Sequence, residues 1–491
     1  MLSALDNLLG KPSTPVMATI TGVKHDSREV VDGDLYVCLE GSEHDGHQYI
    51  NDAIRRGAVA IVVSAGHEFT DLSYPVSVWI VSDTREVLGL LAAVVYGYPC
   101  NKLFLTGVTG TNGKTSTTRM MAHVANEMGL STGTIGTLGA FYKEWTLPTA
   151  RTTPEASTLQ HMFASMLAAG AEGLVFEVAS HALSQGRVNN CLFDAVVFTN
   201  LTQDHLDYHG DMQSYFQTKS TLFYDHVDRS IRGGKLPFAV INTSSHWGME
   251  LALNVKSIPV ITYALVDSGD VDVFSENVCL SPTGSVFRCC YKGLKVDVRL
   301  PIGGGFQVEN ALACIAWGGA HGWDIQRVCQ ALQTCPQVPG RFEAVESTAP
   351  FDVIVDYAHS PDGLYAVLTS IRGLCKGRVI CVFGCGGDRD KTKRPRMGMI
   401  ASDLADVVIV TSDNPRTEDP ERIIADILAG ATDSCRLFVE TDRRAAIQRA
   451  LALALTDDVI LIAGKGHEDY QIIGDHKHPF DDRLVAKEIL F

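Results

Sequence analysis

The chain has 491 residues, of which 46% are hydrophobic and 20% charged, as in an ordinary globular protein rather than a disordered one. This length exceeds what one hydrophobic core supports, so we expect two to four domains. The formal net charge of -16 argues against nucleic acid and anionic membranes as partners. The sequence has neither a secretory pattern nor an apolar run long enough to span a bilayer, so we expect a soluble, cytoplasmic protein.

The first hundred residues predict a small α/β domain. The segments DLYVCL and AVAIVV are short apolar runs typical of strands, and YINDAIRRG between them predicts a helix. A linker containing proline and glycine follows at Tyr96–Lys102.

From Leu103 onward, apolar strands alternate with helices. Continuous apolar strands in this arrangement favour a parallel sheet that is buried on both faces. Residues 271–300 predict antiparallel hairpins added to that sheet. The strands that end in polar groups are LFLTGVTG, GLVFEVAS, AVVFTNLT and FAVINTSS.

The same pattern resumes after the segment CPQVPGRFE, with strands FDVIVDYAHS, RVICVFGCGG, DVVIVTSDNPR and DDVILIAGKGHE. Ligands of open α/β sheets bind beyond the carboxyl ends of the strands, so we expect these four loops to form one site. The predicted fold class is therefore α/β with three domains. They are a small N-terminal α/β domain (1–98), a central P-loop ATPase-type parallel sheet with an added antiparallel β part (99–335), and a C-terminal Rossmann-like α/β domain (336–491).

The stretch GTNGKTS after the strand at Leu105 predicts a phosphate loop. Its glycines let backbone N–H groups approach phosphate oxygens, and the following helix presents its positive end. Lys114 would reach the β- and γ-phosphates and Thr115 would hold Mg²⁺. Val108 stands where the standard motif has its first glycine, but the context still favours a nucleoside triphosphate. The residues predicted to bind it here are Gly110, Thr111, Asn112, Gly113, Lys114, Thr115 and Ser116.

Glu177 and His205 follow strands of the same predicted sheet. A carboxylate and an imidazole at these positions can coordinate Mg²⁺ beside a triphosphate. The residues alone leave the alternative open that Glu177 caps a helix and His205 packs in a turn.

Taken together, GTNGKT, EVASHAL, TNLTQDHLDYHG and GRFE resemble the motifs of the Mur ligases, ATP-dependent amide-forming enzymes of peptidoglycan synthesis. The resemblance implies that ATP phosphorylates a carboxylate, and that an amine attacks the acyl phosphate to give an amide, ADP and phosphate. It implies catalytic roles for Lys114, His205 and Lys219, with Lys219 carbamylated to N6-carboxylysine. It also implies metal ligation by Thr115, Glu177, His205 and Lys219, and ATP contacts from Asn310 and Arg341.

The segment TSDNPR resembles the motif of family members that add meso-2,6-diaminopimelate to UDP-N-acetylmuramoyl-L-alanyl-D-glutamate, at its D-Glu γ-carboxylate. Diaminopimelate differs from lysine by a distal carboxylate, which the guanidinium of Arg416 can bind through two parallel hydrogen bonds. Lysine offers only an ammonium there, which Arg416 would repel. The resemblance implies diaminopimelate contacts from Arg389, Asp413, Asn414, Pro415, Arg416, Gly464 and Glu468.

The resemblance also implies contacts with the UDP-muramoyl-dipeptide from Ser27, Ser42, Glu43, His44, Thr152, Thr153, Ser180, Gln185 and Arg187. Three residues depart from the usual family pattern, namely His25, Ala179 and Gln307. They affect individual contacts rather than the predicted class.

Two alternative functions remain open from the sequence. One is a folylpolyglutamate synthetase-like ligase, against which DNPR, GKGHE and the N-terminal domain argue. The other is a non-catalytic protein gated by nucleotide binding. The expected partners are ATP, UDP-N-acetylmuramoyl-L-Ala-D-Glu and meso-diaminopimelate, with Mg²⁺ as cofactor, no nucleic acid, no membrane and a monomeric state.

Overall fold

The computed structural model describes residues 2–13, 18–41, 44–67, 76–267 and 269–491. Contacts divide the chain into two compact units: a first unit of residues 1–201 and 205–261, and a second unit of 202–204 and 262–491. Among the described residues, none of the helices combines the length and apolar character needed to cross a membrane.

The N-terminal part of the first unit is a four-stranded parallel sheet in the order β1-β2-β3-β4. The helix predicted before β3 and both predicted strands are confirmed. Short 3-10 turns occur at Ser27–Glu29, Gly46–Tyr49 and Pro99–Asn101. The elements are α1 (Leu2–Leu9), β1 (Gly22–Lys24), β2 (Asp34–Val37), α2 (Ile50–Arg55), β3 (Ala60–Ser64), β4 (Ser77–Val81) and α3 (Thr84–Val95).

The remainder of the first unit is built on a second sheet, whose strand order includes β11-β10-β5-β9-β6-β7-β8. Strands β11, β10, β5, β9 and β6 are parallel, which confirms the prediction, and β7 and β8 are antiparallel additions. The elements are β5 (Phe104–Thr109), α4 (Lys114–Glu127), β6 (Thr132–Gly136), β7 (Gly139–Tyr142), β8 (Trp145–Leu147), α5 (Ala156–Ala168), β9 (Gly173–Glu177), α6 (Ser180–Ser184), β10 (Ala195–Phe198), α7 (Leu206–His209), α8 (Met212–Ser220), α9 (Asp225–Arg232), β11 (Phe238–Asn242) and α10 (His246–Asn254).

The chain passes into the second unit through β12 (Val260–Tyr263). The antiparallel hairpins predicted for 271–300 are confirmed as β13 (Val273–Ser281), β14 (Gly284–Tyr291) and β15 (Leu294–Leu300). Two helices follow, α11 (Gly305–Ala320) and α12 (Ile325–Leu332).

The second unit continues with a six-stranded sheet in the order β16-β17-β21-β18-β19-β20, parallel except at β16. Its four predicted strands, β17, β18, β19 and β21, are confirmed, and β16 and β20 are additional edge strands. The elements are β16 (Glu343–Ala344), β17 (Asp352–Asp356), α13 (Pro361–Leu374), β18 (Val379–Phe383), α14 (Lys393–Leu404), β19 (Val407–Val410), α15 (Pro420–Leu428), β20 (Arg436–Val439), α16 (Arg443–Leu453), β21 (Val459–Ala463), β22 (Tyr470–Ile473), β23 (His476–Pro479) and α17 (Asp482–Leu490).

The apolar strands explain why this sheet is covered on both faces. Alternate residues of β17, β18, β19 and β21 belong to two separate buried clusters, as expected for parallel strands between helical layers. Side chains of residues that precede the helices cap their first turns: Ser360 accepts from Gly363 N, and Asp442 accepts from Ala445 N. The polar loops are consequently displayed at the carboxyl ends of rigid strands.

A fully buried ion pair joins helices α16 and α17. Nε and Nη2 of Arg443 each donate to an Asp482 carboxylate oxygen at 2.7 Å, and Nη2 also donates to the carbonyl of Ala463 at 3.0 Å. Removing one partner would leave a buried, uncompensated charge.

We expect Arg443→Met to lower the free energy of unfolding by about 3 kcal/mol, because Asp482 is then buried without its counter-charge. The matched control is Arg444→Met, which removes the neighbouring ion pair with Glu488, where both side chains are at least half exposed. Urea denaturation followed by fluorescence measures both. Equal effects of the two substitutions would contradict this account of the pair.

Candidate functional site

The phosphate loop connects β5 to α4. Gly110 has a φ of 146°, and a Cβ at this position would lie 1.9 Å from Oγ1 of Thr199. Only glycine therefore permits so close an approach. The backbone N–H groups of Thr111 and Asn112 donate to the main-chain and side-chain oxygens of Asn200, both at 2.9 Å. These bonds fix the loop before α4 begins.

Two lysine ammonium groups converge on the carbonyl oxygen of Gly110. Nζ of Lys114 donates to it at 3.0 Å and to the Thr111 carbonyl at 2.7 Å. Nζ of Lys219 donates to it at 2.8 Å, although this side chain is only 1% exposed. Two cations beside the positive end of a helix favour binding of an anion such as phosphate.

Strand pairing places Glu177 beside the phosphate loop. It lies opposite Val108 in the parallel pair of β9 and β5, and its side chain is buried. Its Oε2 accepts from Oγ1 of Thr115 at 3.0 Å and from Oγ1 of Thr137 at 3.1 Å, while Oε1 accepts from Thr137 N at 2.8 Å. Adjacent carboxylate and hydroxyl oxygens are hard donors, so these residues fit Mg²⁺.

His205 precedes the short helix α7 in a left-handed conformation, with φ at 54°. Its ring centre lies 4.9 Å from that of His181 and 6.3 Å from that of Tyr215, whose hydroxyl lies 3.3 Å from Oγ1 of Thr111. Burial, together with the nearby His205 and His209, lowers the pKa of His181 to about 4. The His181 imidazole is therefore neutral at pH 7. Metal ligation by His205 stays a prediction.

Several residues predicted to bind the muramoyl dipeptide form a network attached to Glu177. Oγ1 of Thr153 donates to the Glu177 carbonyl at 2.8 Å and accepts from Ala179 N at 2.9 Å. Nη1 of Arg187 donates to the Thr153 carbonyl at 2.9 Å, and its Nη2 donates to Oε1 of Gln185. Although Ala179 differs from the usual family residue, its backbone N–H still bonds Thr153.

Two more predicted dipeptide residues border this network. Oγ1 of Thr152 lies 3.1 Å from Oγ1 of Thr137, and Oγ of Ser180 lies 3.0 Å from Nε2 of His209. Both hydroxyls thus lie among residues of the same unit that carry the phosphate loop.

The predicted uridine-binding residues belong to the N-terminal part of the first unit. Ser27 is buried and His44 is exposed. Nδ1 of His25, the departure from the family pattern, lies 3.0 Å from Oγ of Ser157. Two further predicted residues lie outside the described residues, namely Ser42 and Glu43.

Sequence reasoning missed Glu155, a buried carboxylate surrounded by three guanidinium groups. Its oxygens lie 3.1 Å from Nε of Arg187 and 3.5 Å from Nη1 of Arg85, and they also bond Nη1 of Arg151. Arg151 lies four residues before Glu155, but Arg85 and Arg187 come from distant segments, so no local pattern marks this residue as the centre of the cluster. The arrangement anchors Arg187 and leaves an excess of positive charge.

In the second unit, the two predicted ATP-contact residues are linked through the departure at Gln307. Nδ2 of Asn310 donates to Oε1 of Gln307 at 3.0 Å, and Nε2 of Gln307 donates to the Arg341 carbonyl at 3.3 Å. The Arg341 guanidinium lies 4.7 Å from the ring centre of Tyr357, a cation–π geometry. The residue at 307 thus connects α11 to the segment that precedes β16.

Asp356 ends strand β17 and orders the backbone around it. Its two carboxylate oxygens accept from Phe342 N at 2.7 Å and from Ala358 N at 2.8 Å. Burial raises the pKa of Asp356 to about 6, against the lowering effects of Arg341 and the two backbone donors.

The residues predicted to bind diaminopimelate come together in the second unit. Nδ2 of Asn414 donates to Oε2 of Glu468 at 2.8 Å. A Cβ added to Gly464, which has a φ of 113°, would lie 2.6 Å from Oδ2 of Asp413. The loops after β19 and β21 thus meet, as the sequence predicts, and a side chain at position 464 would obstruct them.

Arg416 adopts a left-handed conformation, with φ at 52°. Its N–H donates to the Ile472 carbonyl at 3.1 Å and its Nη1 to the Gly387 carbonyl at 2.7 Å. Gly387 N in turn donates to the Asn414 carbonyl at 2.9 Å. These bonds fix the guanidinium beside the GCGGDRD loop.

The remaining predicted contacts lie on the two loops that these bonds connect. Arg389, in the loop after β18, is exposed, and its Nη1 donates to the Asp388 carbonyl at 3.2 Å. A Cβ on Gly387 would lie 1.9 Å from the carbonyl oxygen of Pro415. The proline therefore packs closely against that loop, while Arg389 extends from it.

A separate group of Glu40, His47 and His67 places three ligand atoms within 4.8 Å of one another. Ser64 N donates to Nε2 of His47 at 3.0 Å, so the other ring nitrogen carries the proton that bonds Asp45 at 2.6 Å. Because both nitrogens of His47 are engaged, we assign this group a structural role.

The first unit has a parallel sheet with a phosphate loop, and the second unit has a parallel sheet with polar loops at its strand ends. These features define the class of the protein as a multidomain, nucleotide-dependent α/β protein. Three segments of the chain match models of one protein family. Residues 19–96 match the Mur ligase family catalytic domain, 108–318 the Mur ligase middle domain, and 340–466 the Mur ligase glutamate ligase domain.

Similar proteins share almost the whole chain. A UDP-N-acetylmuramoyl-L-alanyl-D-glutamate–2,6-diaminopimelate ligase of Geobacillus thermodenitrificans is 43% identical, covering 95% of this chain and 94% of its own. A ligase of the same name from Gloeobacter violaceus is 44% identical, covering 96% of this chain and 94% of its own. A solved structure of a ligase with this name has a TM-score of 0.67 and 31% sequence identity, and the match covers 99% of this chain and 98% of that chain. The chain belongs to the Mur ligase family.

We expect Gly110→Ala to weaken ATP binding at least tenfold, because its Cβ would displace the loop from the Thr199 hydroxyl. Gly129→Ala is the matched control, since Gly129 also has a positive φ but has no atom within 4 Å of the added Cβ. Titration calorimetry with ATP measures both affinities. The same loss in both variants would show that backbone strain, rather than this close approach, is responsible.

The raised pKa of Asp356 predicts a pH-dependent stability. The folded state holds the proton up to about pH 6, whereas the ordinary value is 3.8. The stabilising contribution is therefore complete below the unfolded pKa and is lost as pH rises through the folded one. Relative to Asp356→Asn, we expect the wild type to lose about 2–3 kcal/mol of unfolding free energy between pH 4 and 7.

Urea denaturation at several pH values measures this difference. The control is Asp419→Asn, at an exposed helix cap of the same unit, which should give no such trend. A constant difference between wild type and Asp356→Asn across this range would refute the prediction.

Proposed function

We propose that this chain is an ATP-dependent ligase that joins meso-2,6-diaminopimelate to the D-Glu γ-carboxylate of UDP-N-acetylmuramoyl-L-alanyl-D-glutamate, a step of peptidoglycan synthesis. The observation that carries the proposal is the similarity, over 95% of the chain, to ligases bearing that name. The presence of Arg416 in the DNPR segment supports the choice of diaminopimelate over lysine.

The reaction has two covalent steps. An oxygen of the γ-carboxylate attacks the γ-phosphorus of ATP, the bond to the ADP oxygen breaks, and an acyl phosphate forms. The amine of diaminopimelate then attacks the acyl carbon, loses a proton and expels phosphate. The products are the amide, ADP and inorganic phosphate.

The first step is assigned to the phosphate loop. Lys114 and the backbone N–H groups at the start of α4 bind the phosphates and balance the charge that develops on the transferred group. In the second unit, Asn310 and Arg341 are proposed to contact the nucleotide. The support for these assignments is their match to the family motifs and, for the loop, the position of the Lys114 ammonium, which donates to the carbonyls of Gly110 and Thr111.

Thr115, Glu177 and His205 are the residues proposed to hold Mg²⁺, together with Lys219 as N6-carboxylysine. An unmodified ammonium repels a cation, so ligation by Lys219 requires the carbamate, whose oxygens are hard donors. Bound there, Mg²⁺ supplies positive charge to the phosphate oxygens. The 3.0 Å contact of Thr115 with Glu177 supports this donor set.

The UDP-muramoyl-dipeptide is assigned to the first unit. Ser27, with Ser42, Glu43 and His44, is proposed to bind the uridine end. The dipeptide end is assigned to the network around Glu177, namely Thr152, Thr153, Ser180, Gln185 and Arg187. The excess guanidinium charge near Glu155 suits the carboxylates of that end.

Diaminopimelate is assigned to the second unit. Arg416 and Arg389 are proposed to bind its distal carboxylate, and Glu468 its distal ammonium, with Asp413, Asn414, Pro415 and Gly464 completing the site. The same proposal includes the domain bounds 1–98, 99–335 and 336–491, a cytoplasmic location, a monomeric state and small molecules as the only substrates.

The direct test is phosphate release by the purified protein with Mg²⁺ and ATP. Release should require both the UDP-muramoyl-dipeptide and meso-diaminopimelate, and mass spectrometry should find the amide product. L-lysine in place of diaminopimelate should give little release. Equal turnover with lysine, or ATP binding without an amide, would overturn the proposal.

We expect Arg416→Lys to raise the KM for diaminopimelate at least tenfold and to change that for ATP less than twofold. A guanidinium can bind a carboxylate through two parallel hydrogen bonds, whereas an ammonium acts as a point charge. The control is Arg422→Lys, at an exposed position on α15. Equal increases in both KM values would show that Arg416 has another role.

A further inference from the structure

Lys465 has a fully buried side chain in the loop just after strand β21, between Gly464 and Gly466. Its ammonium lies 3.2 Å from Oδ1 of Asn414 and 3.5 Å from Oε2 of Glu468. A buried ammonium is costly unless it is paired and hydrogen-bonded. Its partners here, Asn414 and Glu468, are two of the residues proposed to bind diaminopimelate.

Lys465 helps to fix the orientation of the Asn414 amide. Oδ1 of Asn414 accepts from Nζ of Lys465 and from Ile472 N, the latter at 2.9 Å. Two donors on this atom identify it as the oxygen, so Nδ2 must point towards Glu468, to which it donates at 2.8 Å. An amide nitrogen carries two hydrogens, and the second is available to a substrate oxygen.

The same contacts use one oxygen of Glu468. Among the described residues, the side-chain bonds to this carboxylate come from Asn414 and Lys465, and both are made to Oε2. Oε1 is therefore the oxygen that can accept from a ligand ammonium. Lys465 compensates part of the negative charge of Glu468, and Tyr470 lies beside it with its ring centre 5.5 Å from Nζ.

We propose that Lys465 is a positioning residue that sets the selectivity of this site for an amino acid with a distal ammonium. By holding Asn414 and Glu468 in one arrangement, it keeps one carboxylate oxygen directed to that ammonium. This inference rests on the proposed function, because it takes the ligand to be a diamino acid. It predicts that loss of Lys465 affects recognition of the distal ammonium rather than of ATP.

The test compares meso-diaminopimelate with 2-aminopimelate, which keeps both carboxylates and lacks the distal ammonium. The ratio of their kcat/KM values measures how strongly the enzyme selects that group. We expect Lys465→Met to lower this ratio at least tenfold, through a higher KM for diaminopimelate, with the KM for ATP changed less than twofold. If Lys465 served only the scaffold, its loss would instead impair the kinetics with diaminopimelate, 2-aminopimelate and ATP together and leave the ratio unchanged.

Lys477→Met is the matched control. Nζ of Lys477 lies 4.1 Å from the ring centre of the same Tyr470, but the residue is exposed on strand β23. This variant should keep the wild-type ratio. Lys465→Gln is a second variant, which retains an N–H donor for Asn414 without the charge, and we expect a ratio between those of wild type and Lys465→Met.

Each outcome decides between the two proposals. A wild type that selects diaminopimelate, with the same selectivity in Lys465→Met, would overturn the role of Lys465 alone. Failure of both Lys465 variants to fold would also overturn it, since the residue would then serve the scaffold. A wild type that does not use diaminopimelate would overturn this inference together with the proposed function.

Discussion

The constraint that organises the predicted nucleotide site is the concentration of charge at the phosphate loop, where the carbonyl oxygen of Gly110 accepts from Nζ of both Lys114 and Lys219. Two cations cannot be held this close to one dipole at low cost unless anionic groups compensate them. The buried carboxylate of Glu177 accepts from Oγ1 of Thr115 at the same loop, and the proposed carbamylation of Lys219 would replace the second ammonium with an anionic group. A triphosphate would supply the remaining negative charge, which explains why so polar a cluster is placed at the ends of apolar strands.

Parallel strand pairing explains how these groups come together from distant parts of the sequence. The pairing of β5 with β9 places Glu177 opposite Val108, only a few residues before the phosphate loop. In the second unit, the parallel strands β19 and β21 likewise end in loops whose residues Asn414 and Glu468 bond each other. Each unit therefore displays its polar groups on one edge of a rigid sheet, where charges can be oriented before a substrate binds.

Much of this arrangement could be predicted from the sequence, because apolar runs that end in polar residues identify buried parallel strands and their ligand-bearing ends. The strands before Gly110 and Glu177, and those before Asp413 and Gly464, are where the pattern predicts them. Strand β20 escaped prediction because it is a short edge strand with partly exposed residues. Its four residues are too few, and too exposed, to show the apolar pattern by which a buried strand is recognised in a sequence.

The features that sequence reasoning missed are long-range charge pairs. Glu155 meets Arg85 and Arg187, and Arg443 meets Asp482, only because the folded chain brings separate helices and loops together. Lys465 follows a predicted strand end, but nothing in the letters GKG distinguishes a buried lysine from an exposed one. The hydrogen bond from Gln307 to the Arg341 carbonyl could not be predicted from the sequence either, since it depends on the packing of α11 against a later segment.

The first unit is proposed to activate a carboxylate by transferring a phosphoryl group to one of its oxygens. The most direct measurement uses UDP-muramoyl-dipeptide whose D-Glu γ-carboxylate carries ¹⁸O at both oxygens, turned over with unlabelled ATP and diaminopimelate. Because the attacking oxygen leaves with the phosphate when the amide forms, the account predicts one ¹⁸O atom in each released phosphate. Unlabelled phosphate released alongside the amide product would contradict it.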